Sequence, residues 1–300
     1  MERKKEIIFA VPGSKKYVNS FYSNSTASFK NFSITGNNCE LECAHCKKKL
    51  LDTMNIFDKS ADGLNKIISE HNNNRLKGIL LSGGFDRNGK LPIYNYLGAI
   101  KELKRICPGL IILAHLGFTD HREAEKIKES GIDFVLVNMI SGKNAIENIY
   151  NLKNRTGKDY INTIKILEET GNNTVPHIIA GIDSLKTESD YEALNQLAEI
   201  NISRLVFIII KKLDRDSDVM AMTDYEELTN LIKYAKKTMP NTKISLGCSS
   251  PSSKKRGQFE IGLIKNDIDC ISFPSQDTVS FCNDKKIPYR FEEMCCAALL

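Results

Sequence analysis

Cys39, Cys43 and Cys46 carry the clearest chemistry in this 300-residue sequence. They stand at C-x3-C-x2-C spacing in the stretch Ser33-Ile34-Thr35-Gly36-Asn37-Asn38-Cys39-Glu40-Leu41-Glu42-Cys43-Ala44-His45-Cys46. One short loop can wrap three thiolates around an iron–sulfur cubane, one per iron, and leave the fourth iron open to an outside ligand. The competing reading is a structural zinc site with His45 or a distant cysteine as fourth ligand. Zinc knuckles usually come as pairs, and no second C-x2-C is present. A three-plus-open set suits a catalytic site better than a closed structural one.

The surrounding elements must hold that loop in place. Short apolar runs alternate with helical segments from residue 32 to about residue 275. Strands are expected at 32–36, 78–82, 110–116, 134–140, 175–181, 204–210, 243–247 and 270–273. Helices are expected between them, at 61–71, 93–107, 122–130, 160–170, 189–199, 224–237 and, more weakly, 258–265. Runs such as VLVNMI and LVFIII are apolar throughout, as in strands buried on both faces of a parallel sheet. Eight such units fit an α/β fold of the (β/α)8 barrel type, in which the loops after the strands build the active site. A doubly wound open sheet is the rival. Residues 1–31 are then a cap, 32–275 the barrel, and 276–300 a tail over the barrel mouth.

Composition excludes other classes. With 41% hydrophobic and 26% charged residues the chain reads as a folded globular protein. No run approaches the ~20 apolar residues of a membrane span, and no signal peptide opens the chain, so a cytoplasmic location is expected. Lys and Arg number 42 against 37 Asp and Glu, too small a surplus to suggest nucleic acid. The runs Lys47–Lys49 and Lys254–Arg256 read as solvated surface. Nine cysteines in such a chain suggest ligands, reactive thiols or core residues rather than disulfides.

The cysteine motif after a first barrel strand resembles the signature of radical S-adenosylmethionine enzymes. That resemblance implies a [4Fe-4S] cluster on Cys39, Cys43 and Cys46. Its open iron would bind S-adenosylmethionine, and reduction by an external electron donor would yield a 5′-deoxyadenosyl radical. The family often has an aromatic residue before the third cysteine; here it is His45, which can still pack on adenine. Ser82-Gly83-Gly84 resembles the family's Gly-Gly-Glu element that binds the methionine amino group, with Asp86 one position late. Asn138, inside an apolar strand, reads either as a satisfied core amide or as a hydrogen bond to the cofactor's ribose or carboxylate. His115 and His177 raise the same question. Ile179-Ala180-Gly181 would offer a flat face to adenine.

Cys107 and Cys270 read as core. Cys248, Cys282, Cys295 and Cys296 form a candidate set for a second [4Fe-4S] cluster if the tail folds over the mouth. Together with the context ITGNNCELECAHCKKKLL, Val175–Gly181 and Leu246-Gly247-Cys248, they resemble the biotin-synthase-related archaeal branch that includes the second subunit of two-component lipoyl synthase. The resemblance implies sulfur insertion into unactivated C–H bonds of a protein-bound octanoyl chain. The partners would be a second radical enzyme subunit and a small acidic lipoyl-type carrier protein. An arginine-containing segment expected after Cys248 is replaced by Ser-Ser-Pro-Ser-Ser. Two alternatives stay open: one-cluster chemistry such as methyl transfer or carbon-skeleton rearrangement, and a non-catalytic zinc or electron-transfer module.

Overall fold

A computed structural model describes residues 5–210, 224–250 and 254–299. Within them, eleven strands form one wholly parallel sheet. They are β1 (Ile7–Ala10), β2 (Phe29–Ser33), β3 (Asn55–Ile56), β4 (Gly78–Ser82), β5 (Ile111–Leu116), β6 (Phe134–Asn138), β7 (Thr174–Ala180), β8 (Arg204–Ile209), β9 (Lys243–Leu246), β10 (Cys270–Ser272) and β11 (Tyr289–Glu292). Their order is β11-β1-β10-β9-β8-β7-β6-β5-β4-β2-β3.

All eight strands expected from the sequence are present, and the helices follow them as expected. These are α1 (Ala61–Asn72), α2 (Leu97–Ile106), α3 (His121–Glu129), α4 (Gly157–Glu169), α5 (Glu188–Ala198), α6 (Tyr225–Thr238) and α7 (Arg256–Ile264). One helix, α8 (Gln276–Asp284), was not anticipated. Each helix lays an apolar stripe on the outer face of the sheet: Ile100 and Leu103 of α2, for instance, join Ile79 and Leu81 of β4 in one core. No described helix is long and apolar enough to cross a membrane.

Two expectations need correction. Residues 7–10, assigned to a cap, form β1, which is wholly buried and pairs with both β10 and β11. Residues 276–300 are not simply a tail over the mouth, because α8 covers the sheet and β11 extends it. The added strands leave β3 and β11 as edges, so the sheet curls into an open half-barrel rather than a closed eight-stranded ring. IIFA gives little sign of a strand in the sequence because it is short, ends at Pro12-Gly13 and lacks a following helix to mark a repeat unit.

The curl is recorded by what fills it. Inward residues from β1, β2, β5, β6, β7, β8 and β10 pack around Cys296 and Ala297 in a second core cluster. Phe29, Ile111 and Phe134, each the first residue of its strand, belong to that cluster or pack against it. Met294 lies against Gly78, the first residue of β4. The chain end therefore plugs the half-barrel toward the beginnings of its strands. The cysteine loop leaves the opposite end, after β2. That opposition is the geometry that matters for the site.

Candidate active site

Ser33 closes β2 and starts the loop by donating its hydroxyl to the Gly36 carbonyl at 2.6 Å. Gly36 turns the chain at φ +59°, a region open to glycine without a Cβ penalty. Thr35 accepts a hydrogen bond from the Gly84 amide at 2.7 Å, tying the loop to the end of β4. A Cβ on Gly84 would run into the Asn38 carbonyl and stand 2.5 Å from the Cys39 Cα. The diglycine thus has a packing reason to be there: it lets the cysteine loop lie directly on the chain after β4. Ser82 ends β4 half-buried beside it.

Cys43, His45 and Cys46 bring their ligating atoms within 4.8 Å of one another. The hydrogen bond between the two thiols divides one proton unequally. It raises Cys43 far above the usual thiol range, with burial adding to the effect, and holds Cys46 down at about 7. Cys46 is thus primed as a thiolate, the form that binds metal. His45 Nδ1 is buried without a hydrogen-bond partner, and burial lowers the ring to about 4, so it is neutral. A partnerless buried nitrogen beside paired thiols fits a site built to receive a ligand. Cys39 lies outside that trio, partly exposed at the junction with Gly84. Glu42, Lys47 and Lys48 take positive φ although none is glycine, strain of the kind that functional loops store.

A second segment grips the loop, and the sequence carried no sign of it. After β6 a π-helical turn at Ala145–Ile149 delivers Ile149, Tyr150 and Asn151 to the loop. Ala44 N–H donates to the Ile149 carbonyl at 2.8 Å. The Asn151 amide donates to Leu41 O at 2.7 Å and to Glu42 O at 3.3 Å. The Tyr150 ring lies 4.8 Å from His45, and its hydroxyl accepts from Asn138 at 3.3 Å. Tyr150 in NAIENIYNL looks like any helical core aromatic, so only the fold reveals its place. Removing the clamp in Asn151→Ala should raise the alkylation rate of Cys43 and Cys46 in metal-free protein up to about thirtyfold, since two hydrogen bonds worth ~1 kcal/mol each are lost. Mass spectrometry reads that rate; an unchanged rate would mean the loop holds its shape unaided.

Of the remaining sequence candidates, Asn138 and His115 are joined, His115 Nε2 to Asn138 Oδ1 at 3.2 Å. His177 stacks beside His115, with ring centroids 5.6 Å apart. Gly181, expected at an adenine face, turns at φ +78° and donates its amide to buried Asp190 at 2.9 Å. Burial raises that carboxyl to about 7.

The four distant cysteines do not converge as the sequence suggested. Cys282 is buried in the outer core between α8 and the sheet, whereas Cys295 and Cys296 pack in the interior cluster. Cys282 sits on a helix, and the stripe it belongs to faces the outside of the sheet. Cys270, read as core, is the thiol that joins Cys296 in that interior cluster. Burial raises Cys270 well above the usual range, and Cys296 adds to that rise. Cys248 is exposed, near enough to Cys295 to raise it further. Among the described residues, only Cys43, His45 and Cys46 form a three-ligand group.

No family model matches the chain, and no curated protein matches it in sequence. Solved structures do resemble it. HydG, a maturase of the [FeFe]-hydrogenase, superposes with a TM-score of 0.60 at 12% identity, over 90% of this chain and 65% of that one. Methylornithine synthase PylB gives 0.56 at 13% identity, over 88% and 84% of the two chains. SuiB of Streptococcus suis bound to S-adenosylmethionine gives 0.54 at 15% identity, over 77% and 52%. The chain thus spans just under two thirds of the HydG structure and about half of SuiB. At these identities the likeness is one of fold.

Proposed function

We propose that this protein is a radical S-adenosylmethionine enzyme. The observation that carries the reading is the loop of three cysteines seated on Gly84 at the strand ends of a parallel half-barrel. The likeness of that half-barrel to a structure with bound S-adenosylmethionine supports it. Cys39, Cys43 and Cys46 would hold a [4Fe-4S] cluster, and the donor set suits it: three thiols, one of them already near its ionised form. When bound and reduced, cluster and cofactor would supply a 5′-deoxyadenosyl radical.

The chain's own residues do the rest. Gly84 lets the loop seat directly on the end of β4 and ties it there through Thr35, and Ser82 with Asn138 supplies polar contacts nearby. Ile149, Tyr150 and Asn151 hold the loop against the interior. His45 packs on Tyr150 and keeps a neutral nitrogen toward the site. The plug at the other end of the half-barrel closes the chamber from below and limits entry of water.

The finer reading is sulfur insertion into a protein-bound octanoyl chain, with a second cluster as sulfur donor. The partners would be a second radical subunit, an acidic lipoyl-type carrier and an external electron donor. The grouping of Cys270, Cys295 and Cys296, with Cys248 nearby, supports a second thiol site and replaces Cys282 in it.

Anaerobic reconstitution tests both levels. The wild type should cleave S-adenosylmethionine to 5′-deoxyadenosine under dithionite; zinc in place of iron, or no cleavage, overturns the enzyme reading. Two clusters predict about eight iron atoms per chain, falling to about four when Cys270, Cys295 and Cys296 are changed to serine. About four in both proteins would leave a one-cluster enzyme of methyl-transfer or rearrangement type and remove the sulfur donor.

A further inference from the structure

Two imidazoles inside the half-barrel are not used by the cysteine chemistry. His115 lies two residues beyond Leu113 on β5, and His177 two beyond Val175 on β7. Leu113 and Val175 pack with Cys296 and Ala297 in the interior. Side chains alternate along a strand, so both imidazoles face that same interior, one rung nearer the cysteine loop. Asn138 stands in the same phase, two beyond Leu136 on β6.

Their partners determine where the protons sit. The Val175 carbonyl can only accept, so His177 Nδ1, 2.9 Å away, carries a hydrogen. Asn138 donates through Nδ2 to the Tyr150 hydroxyl, which leaves Oδ1 to accept from His115 Nε2–H. His177 Nε2 and His115 Nδ1 therefore present bare lone pairs. Neither is among the buried side-chain atoms sealed without a partner. Burial lowers both rings, His177 to about 3, so they stay neutral acceptors. Two adjacent acceptors favour a hydrogen-bond donor and disfavour a carboxylate or phosphate. The surface around them is apolar, with half-buried Leu80 level with Leu113, a rung below His115, and half-buried Ile208 level with Ile179, a rung beyond His177.

We propose that His115 and His177 form the substrate-recognition pair of this chamber, accepting hydrogen bonds from an uncharged amide or hydroxyl whose apolar chain lies on Leu80 and Ile208. The inference rests on the interior being the substrate chamber of the proposed enzyme, and it narrows that substrate to a donor-bearing amphiphile. A free fatty carboxylate would meet two lone pairs and no cation from the pair.

The test uses reconstituted, 15N-histidine-labelled holoprotein, with octanamide and 1-octanol as donor probes and octanoate as the donor-free control. The signals are assigned with His115→Gln and His177→Gln. Two-bond imidazole spectra should show His177 protonated at Nδ1 and His115 at Nε2. Octanamide or octanol should shift the two bare nitrogens saturably, and octanoate should not. His177→Phe should weaken probe binding about tenfold, a loss of ~1.4 kcal/mol, while native-state hydrogen exchange confirms its fold. Reversed tautomers, an equal response to octanoate, or no response to either donor would overturn the assignment. S-adenosylmethionine cleavage by the same sample, without probe, reports on the proposed enzyme function separately.

Discussion

Changing Cys39, Cys43 and Cys46 together to alanine should remove the loop's iron and reduce S-adenosylmethionine cleavage to the rate seen without protein. No graded outcome is expected. The loop offers no spare ligand of the same kind: His45 is the other ligating group within reach, and its burial among aromatic and thiol neighbours holds it neutral. A single imidazole cannot replace three thiolates around a cubane. The fold should survive, because the apolar contacts that hold the sheet lie elsewhere, on the outer helices and in the interior plug. Far-UV circular dichroism and the thermal midpoint would separate loss of iron from loss of structure. Iron retained by the triple variant at the wild-type level would place the cluster on other thiols and sink the assignment of this loop.

Gly84→Ala should be nearly as damaging, though it adds only a methyl group and touches no ligand. The new Cβ would overlap the Asn38 carbonyl oxygen and stand 2.5 Å from the Cys39 Cα. Both obstacles are backbone, so no rotamer change relieves them. Overpacking of this kind costs about 1–3 kcal/mol, and the loop is the part free to move. It should lift from β4, breaking the hydrogen bond from Gly84 to Thr35 and carrying Cys39 away from Cys43 and Cys46. The expected result is a folded protein whose cysteine loop retains about a tenth or less of its own iron, as a displacement costing ~1.4 kcal/mol implies. Gly98→Ala is the matched control. Gly98 lies within α2 with open space where its Cβ would go, so alanine there should be neutral or stabilising by about 0.5–1 kcal/mol. Equal iron content in the two variants would show that the close approach of β4 to the loop does not matter.

These two results probe different layers of legibility. The cysteine spacing could be read directly, because ligand geometry is local: three thiols must come from one short loop to reach one cluster. The diglycine was legible as a place where backbone must come close, but not what approaches it. In the structure it is the Cys39 backbone, a contact between segments distant in the chain. Asn138 was readable as an amide in need of partners, and it found two, His115 and Tyr150. Which partners it would find depended on the register between β5 and β6 and on the π-helical turn that follows β6. No periodicity announces such a turn.

The tail shows the boundary most sharply. Adjacent cysteines near the chain end were legible as a pair with chemical potential, and Cys282 was grouped with them by proximity in sequence. The helical stripe of α8 takes Cys282 to the outer core, while β11 and the residues after it carry Cys295 and Cys296 into the interior, beside Cys270.

The sequence by itself determined the alternation of strands and helices, the parallel sheet and the cysteine loop at a strand end. Those follow from periodicity, apolar content and ligand spacing, all short-range properties. The tertiary structure alone decided that the sheet gains strands from both chain ends and stays open, that the chain end plugs its interior, and that Tyr150 and Asn151 grip the loop. Each of these depends on pairing between segments far apart in the chain, where burial and register, rather than local pattern, select the partner.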